Sequence, residues 1–288
     1  MPTRVKKKKS SKKMSGGTRK RTKSSLKLQI VSDLHLEFRP DDLDFIVPSA
    51  PVLCLLGDIC VIGTDEDFTT YKKFIETVYD KFDIIIHVPG NHEYYNKTQR
   101  GKDTKCTINK INARLRAYAK TKKKLHFLNN NMLKLQVGKH KYFLIGTTLW
   151  TYVNTKDHMT IQKAMNDYKY IHVKDKGEVR NFKIQDMQKL HKKAVTCIKR
   201  FITLGKKAGA KCVLLTHHKA FREKSDTFSQ AYESDLVYLF NAPLALVAYG
   251  HTHKAFNGRV NKIKTVSNPR GYPREKTKFN NKFTIHVP

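Results

Sequence analysis

The 288-residue sequence predicts an α/β fold, because continuous apolar runs alternate with segments that have apolar residues at helical spacing. Polar residues that close the apolar runs support the same fold. Five continuous apolar runs are typical of strands buried on both faces. Each run ends in Asp, Asn or His, and the carboxyl ends of strands are where open α/β sheets build their sites. The runs, with the polar residues that close them, cover residues 26–33, 50–58, 82–95, 210–221 and 244–256.

Segments with apolar residues at helical spacing separate several of these runs. Helices are predicted over residues 65–82, 108–118 and 184–204. Residues 134–150 predict two strands joined by a Gly-Lys turn, which adds an antiparallel component to the sheet structure. Further short strands are predicted near the end of the chain, within residues 259–271 and 282–288.

The charge of the chain predicts a polyanionic partner such as nucleic acid. Formal net charge is +33, from 57 Lys and Arg against 24 Asp and Glu. Residues 1–27 hold twelve of the basic residues and no acid, so the rest of the chain keeps 33 − 12 = +21. A compositional bias of the source genome is the alternative explanation for so many lysines.

Residues 1–26 are predicted to form a disordered basic tail, and residues 27–288 the folded domain. The tail is rich in Lys, Ser, Gly and Thr and lacks the apolar residues that could offset the entropy cost of ordering. Its basic clusters fit nuclear localisation or nucleic-acid binding, and a solubilising extension is the alternative.

Composition predicts an intracellular protein, cytoplasmic or nuclear. No segment approaches the roughly 20 uninterrupted apolar residues of a membrane span, and no apolar stretch follows the basic N-terminus as in a secretory signal. The five cysteines are odd in number and scattered, which suits free thiols in a reducing compartment. Nothing in the sequence indicates an oligomeric state.

The polar residues at the strand ends form an ordered set that resembles the calcineurin-like metallophosphoesterases, from about residue 27 to the C-terminus. The resemblance implies a four-layer α/β/β/α sandwich in which two mixed β-sheets pack face to face. The matching motifs are Asp33-Leu34-His35, Gly57-Asp58, Gly90-Asn91-His92-Glu93, Thr216-His217 and Gly250-His251-Thr252-His253.

The resemblance also implies a site for two divalent or trivalent metal ions. The first ion would be bound by Asp33, His35 and His253. The second would be bound by Asn91, His217 and His251. Asp58 would bridge the two ions, since a carboxylate has two oxygens. Mixed nitrogen and oxygen ligands suit Mn, Fe or Zn.

The implied activity is hydrolysis of a phosphomonoester or phosphodiester by water that the two metal ions activate. His92 is the candidate catalytic residue, as general acid for the leaving group or as a phosphate contact. Two other functions fit parts of the sequence. A nuclease or nucleotide phosphodiesterase fits the basic charge, and a catalytically silent scaffold would bind nucleic acid or a protein.

Several residues near the motifs have two interpretations. His218 could replace His217 as the ligand, although the family position favours His217. Glu93 could orient a ligand or simply begin a helix. His87, inside an apolar run, is predicted to be a core histidine with its hydrogen bonds satisfied. Arg270 could contact a phosphate, but its surroundings are equally typical of a turn.

Two local expectations concern the geometry of the site. If the chain stays extended through Leu34, that side chain points away and Asp33 lies on the same side as His35. Residues 151–182 are basic and aromatic with little apolar periodicity. They are predicted to be an insertion that shapes substrate binding, by contact with a nucleic-acid strand or as a surface lid.

Overall fold

A computed structural model describes residues 25–96, 104–223 and 226–287, and in them two mixed sheets pack face to face between helices. Most of the predicted tail lies outside these residues. Ser25 and Leu26 are described, and Leu26 is 2% exposed in the core, so the folded part begins before residue 27.

The described residues form thirteen strands and six α-helices. The strands are β1 (Lys27–Val31), β2 (Val52–Leu56), β3 (Ile84–Val88), β4 (Leu125–Phe127), β5 (Asn131–Val137), β6 (His140–Thr147), β7 (His172–Asp175), β8 (Glu178–Asn181), β9 (Lys211–Thr216), β10 (Leu244–Tyr249), β11 (Phe256–Val260), β12 (Ile263–Ser267) and β13 (Thr284–His286). The helices are α1 (Asp65–Tyr79), α2 (Ile108–Lys120), α3 (His158–Ala164), α4 (Asp167–Tyr170), α5 (Ile184–Lys207) and α6 (Ser229–Tyr232).

The strands build two large sheets and one small hairpin. The first sheet has the order β13-β1-β2-β3-β4, in which only β13 runs antiparallel to its neighbour. The second sheet has the order β11-β12-β10-β9-β6-β5, with a parallel centre of β12, β10, β9 and β6. Antiparallel strands β11 and β5 close its two edges, and β7 pairs with β8 separately.

The side chains of β2 show how the first sheet packs between a helical layer on one face and the second sheet on the other. Leu53 and Leu55 face α1 and α2 across one core, whereas Val52, Cys54 and Leu56 face the second sheet across another. Successive side chains of a strand point to opposite faces, so a strand covered on both sides must be apolar throughout. The continuous apolar runs of the sequence therefore have a direct physical cause.

The outer helices complete the sandwich. On α1, Tyr71, Phe74 and Val78 are buried against the first sheet. On α5, Ala194 and Ile198 pack against the second sheet. This arrangement confirms the predicted α/β/β/α architecture with two mixed sheets.

The predicted helices and strands are observed, but the structure differs from the prediction at several places, among them the short helices α3, α4 and α6, which were not predicted. The first helix ends at Tyr79 rather than at residue 82, because the chain turns there to enter β3. Strand β4 was not predicted, since three residues are too few to show a pattern. The β7–β8 hairpin was not predicted either, and it lies within residues 151–182.

Residues 151–182 belong partly to the core. They contain α3 and α4 as well as the hairpin, and they bury Val153, Ile161, Tyr168, Ile171 and Phe182 in the cluster beneath the first helical layer. Their predicted role in shaping substrate binding stays a prediction. No helix of the described residues combines the length and the apolar character needed to cross a membrane.

Leu144→Ala is expected to lower the free energy of unfolding by about 2–5 kcal/mol, because it leaves a cavity between the two sheets. Leu144 is fully buried there. The matched control Leu204→Ala alters a side chain that is 37% exposed on α5 and should cost less than about 0.5 kcal/mol. Urea denaturation measures both, and equal midpoint shifts would contradict the layer assignment.

Candidate metal centre

The site lies where the carboxyl ends of strands from both large sheets meet. Asp33, Asp58 and Asn91 follow β1, β2 and β3 of the first sheet. His217 follows β9, and His251 with His253 follows β10, both in the second sheet. Parallel neighbours place their carboxyl ends at one edge, so the packing of the two sheets brings all these segments together.

The backbone around Asp33 and His35 is left-handed rather than extended. Asp33 has a φ of 54° and His35 a φ of 48°, so the condition of an extended chain through Leu34 is not met, although both side chains reach one donor cluster. The backbone N–H of Asp33 donates to the Gly57 carbonyl at 2.9 Å, and the backbone N–H of His35 donates to the Asp58 carbonyl at 3.0 Å. These bonds between adjacent strand ends favour the strained conformation, in which Leu34 is buried.

The first donor cluster joins the two sheets. It consists of Asp33, His35 and His253, whose donor atoms all lie within 4.8 Å of one another. His35 Nε2 is 3.1 Å from His253 Nε2, and His253 Nε2 is 3.5 Å from Asp33 Oδ1.

The second cluster is centred on His217 and includes Asp58 and His251. His217 Nε2 lies 3.3 Å from Asp58 Oδ1, 3.1 Å from His251 Nδ1 and 3.0 Å from Asn91 Oδ1. The two clusters meet at Asp58, whose Oδ2 is 3.9 Å from His35 Nε2. All seven residues predicted as ligands are therefore brought together, with Asp58 between the two sets.

The donor atoms of both clusters fit cations. Asp33 Oδ2 and His251 Nε2 are buried and have no hydrogen-bond partner among the described residues. Buried polar atoms are normally satisfied, so these two indicate a missing charged or polar group. Imidazole nitrogens and carboxylate oxygens in this mixture suit Mn, Fe or Zn. The number and identity of the ions stay predictions.

The electrostatic environment of Asp58 also fits a bound cation. Burial raises the pKa of this carboxyl, but His217, His92 and His35 outweigh burial and hold the pKa well below its usual range. Burial lowers the pKa of His217, but the Asp58 carboxylate outweighs burial and raises the pKa of His217 to about 9. The buried carboxylate is thus stabilised by neighbouring positive charge, a role that a metal ion fills equally well.

His92, the candidate catalytic residue, is held on three sides. Its Nδ1 is 2.9 Å from Glu37 Oε1, and the Tyr272 hydroxyl is 3.0 Å from its Nε2. The ring stacks on Tyr95 with centroids 4.2 Å apart. Burial lowers the pKa of His92, but Asp58 and Glu37 outweigh it and raise the pKa to about 9.

Glu93 holds the loop that carries Asp58. Its carboxylate accepts hydrogen bonds from the backbone N–H of Asp58 at 2.9 Å, of Ile59 at 2.8 Å and of Gly90 at 2.6 Å. Of the two interpretations of Glu93, the orienting role fits this geometry. His87 is fully buried between Glu93 and the Tyr71 hydroxyl, as expected of a satisfied core histidine.

Two other residues contribute no donor atom to the clusters, although the His218 ring lies against His251 with centroids 4.1 Å apart. His218 Nδ1 lies 3.1 Å from the Thr148 carbonyl, and the ring packs against Trp150 rather than joining Asp58. Burial, followed by His217, lowers the pKa of His218 to about 3. Arg270 pairs with Asp42, and its guanidinium lies 3.7 Å from the Phe45 ring centroid.

Sequence reasoning missed four residues that support the site. Glu37 contacts both His35 and His92, Tyr272 contacts His92, and Glu275 Oε2 is 2.6 Å from His253 Nδ1. Asp167, from residues 151–182, accepts a hydrogen bond from Asn91 Nδ2 at 2.9 Å. Glu37 alone gave a signal, since it lies two residues after His35 in a segment of alternating polar residues.

A cavity of about 330 Å³ opens onto these groups. Asp58, Asn91 and His92 line it on the first-sheet side, and His251 and His253 on the other. Ligand atoms therefore have access to both clusters and to the candidate acid at once.

Comparison with known proteins identifies a family and a fold. A family model described as calcineurin-like phosphoesterase matches residues 26–255. The chain is 28% identical over 282 residues to the uncharacterized protein L509 of Acanthamoeba polyphaga mimivirus, covering 88% of this chain and 94% of that one. The solved structure of phosphopantetheinyl hydrolase from Mycobacterium tuberculosis is similar with a TM-score of 0.67 at 16% identity. That similarity covers 87% of this chain and 91% of the other, and shows a shared fold.

Glu93→Gln is expected to reduce metal affinity about 10- to 100-fold, because an amide cannot accept three N–H groups as a carboxylate does. The free energy of unfolding should fall by about 1–3 kcal/mol as buried N–H groups lose their partner. Titration with Mn²⁺ by calorimetry measures the first effect and denaturation the second. Glu178→Gln, at an exposed position, is the matched control, and unchanged Mn²⁺ affinity in Glu93→Gln would contradict the orienting role.

Proposed function

The chain belongs to the calcineurin-like phosphoesterase family, and from that premise we propose that it hydrolyses a phosphoester with two bound metal ions. The observation that carries this proposal is the meeting of two donor clusters at Asp58, beside an open cavity. Asp33, His35 and His253 would hold one ion, and Asn91, His217 and His251 the other. Ions in such a pair polarise a phosphoryl oxygen and lower the pKa of water towards neutrality.

The protein's own residues would orient the substrate and handle the leaving-group proton. His92 lines the cavity through a ring fixed by Glu37 and Tyr95. We assign it the role of general acid, because protonated imidazole can give a proton to a departing oxygen within hydrogen-bond reach. Glu37 would keep the ring in place, since it accepts at Nδ1 and leaves Nε2 to face Tyr272 and the substrate.

We also propose that the positive charge of the chain attracts polyanions. The charge of +33 supports this. Nucleic acid is one such partner, and a nuclease or nucleotide phosphodiesterase is accordingly the narrower form of the proposed activity.

Asp58→Asn is expected to lower kcat at least about a thousandfold, because loss of the shared anion removes several kcal/mol of metal and transition-state stabilisation. His251→Ala should act in the same direction. The assay is hydrolysis of aryl phosphomonoesters and phosphodiesters by protein loaded with Mn²⁺, Fe or Zn²⁺. Asp235→Asn, at an exposed position, should keep full activity. Failure of all three metals to support turnover of any ester would overturn the proposed enzyme.

Affinity for a single-stranded oligonucleotide should fall at least about tenfold between 50 and 200 mM salt, as phosphate contacts release counterions. Fluorescence anisotropy measures this for the whole chain and for a chain lacking residues 1–24. We expect the shortened protein to bind more weakly with a smaller salt dependence. Affinity that does not change with salt would argue against a charge-driven partner.

A further inference from the structure

Asn91 can bind a cation through only one end of its side chain. The amide carries an oxygen and an NH₂ group of nearly the same shape, and only the oxygen can accept a cation. Asn91 Oδ1 faces the second cluster, 3.0 Å from His217 Nε2. Turning the amide over would point the NH₂ group at the ion instead, so the site depends on what holds Asn91 Nδ2.

Two acceptors hold that NH₂ group. Asp167 Oδ1 lies 2.9 Å from Asn91 Nδ2, and the Tyr95 hydroxyl oxygen lies 3.2 Å from it. The Tyr95 hydroxyl donates its own proton to the same Asp167 oxygen at 2.7 Å, so towards Asn91 it accepts, as a carboxylate also does. A reversed amide would set its oxygen against two acceptors. The network therefore selects the orientation that points Asn91 Oδ1 at the cluster.

The Asp167 carboxyl is held in a packed environment. Asp167 is 3% exposed and begins α4, within residues 151–182. Tyr168 and Ile171, which follow it, are buried in the core. Hydrogen bonds to a charged acceptor are stronger than bonds to a neutral one, and removal from water strengthens them further.

Backbone contacts join α4 to the loop that follows Asn91. The backbone N–H of Asn96 donates to the Tyr170 carbonyl at 3.0 Å, and Tyr95 forms a β-bridge with Ile171. Because the two segments are bonded to each other, the acceptor carboxyl and the amide that it orients keep a fixed separation.

We propose that Asp167 is a positioning residue for the second metal ion, and that residues 151–182 support the metal centre by carrying it. Asp167 belongs to neither donor cluster of the described residues and does not line the cavity. It would act through Asn91, by keeping Oδ1 directed at the ion. The proposal rests on the proposed phosphoesterase function, and it gives residues 151–182 a role besides the shaping of substrate binding.

Titration with Mn²⁺ tests the proposal on the full chain after chelation has removed bound metal. Asp167→Leu keeps a branched side chain but removes both oxygens, and we expect it to weaken the binding of one Mn²⁺ ion about 10- to 100-fold. Asp167→Asn keeps an oxygen that can accept from both donors. A neutral acceptor bonds about half as strongly as a charged one, so the loss should be only about 3- to 10-fold. Electron paramagnetic resonance, which counts the Mn²⁺ left free in solution, measures both.

Asp157→Leu is the matched control. Asp157 is a second buried acid of residues 151–182, and it accepts hydrogen bonds from Gln230 Nε2 at 2.8 Å and Thr227 Oγ1 at 3.3 Å. Its replacement should lower the midpoint of urea denaturation, as Asp167→Leu does, but leave Mn²⁺ affinity unchanged. An equal loss of Mn²⁺ affinity in the two Leu variants would overturn the proposal, and so would Asp167→Asn that binds no better than Asp167→Leu.

The binding measurement separates this proposal from the proposed activity. Weaker Mn²⁺ binding in Asp167→Leu alone would support the positioning role even if no ester were turned over. Wild-type Mn²⁺ affinity in Asp167→Leu would overturn the role even if hydrolysis of para-nitrophenyl phosphate were efficient.

Discussion

A buried carboxylate, Asp58, is the constraint on which the rest of the site depends. Only 2% of Asp58 is exposed, and a charge removed from water must be matched by donors or by opposite charge. The backbone N–H of His92 donates to Asp58 Oδ1 at 2.8 Å. The Glu93 carboxylate accepts a hydrogen bond from the backbone N–H of Asp58. Gly90 permits this approach, because a Cβ there would lie 2.1 Å from Asp58 Oδ1. The Gly-Asp and Gly-Asn-His-Glu motifs therefore act as one structural unit.

The packing of the two sheets and the donor clusters depend on each other. The first cluster combines Asp33 and His35 from the first sheet with His253 from the second, and the other cluster also draws on both sheets. A ligand that binds only the folded state stabilises that state in proportion to its affinity. Ions bound at these clusters would therefore strengthen the contact between the sheets as well as supply charge for chemistry.

Much of the fold and of the donor set was predictable because the signals are local. A buried strand must be apolar on both faces, and its end must provide the polar groups of a site, so both features appear in consecutive residues. The supporting contacts were not predictable in this way. Tyr272 contacts His92 from 180 residues further along the chain, and Asp167 contacts Asn91 across 76 residues. No spacing rule connects residues so far apart, because their proximity depends on how the layers pack.

Periodicity in the sequence predicted an α/β protein, and the order of its motifs carried the resemblance to the calcineurin-like phosphoesterases, which implied the four layers and the seven candidate ligands. Only the tertiary structure decided how the ligands meet. Asp33 and His35 adopt left-handed conformations in it, where the sequence had offered only the condition of an extended chain, because hydrogen bonds to the neighbouring strand end outweigh the local preference. The tertiary structure also placed Tyr232 against His251, with ring centroids 5.1 Å apart, by packing together the segments that follow β9 and β10 of the second sheet.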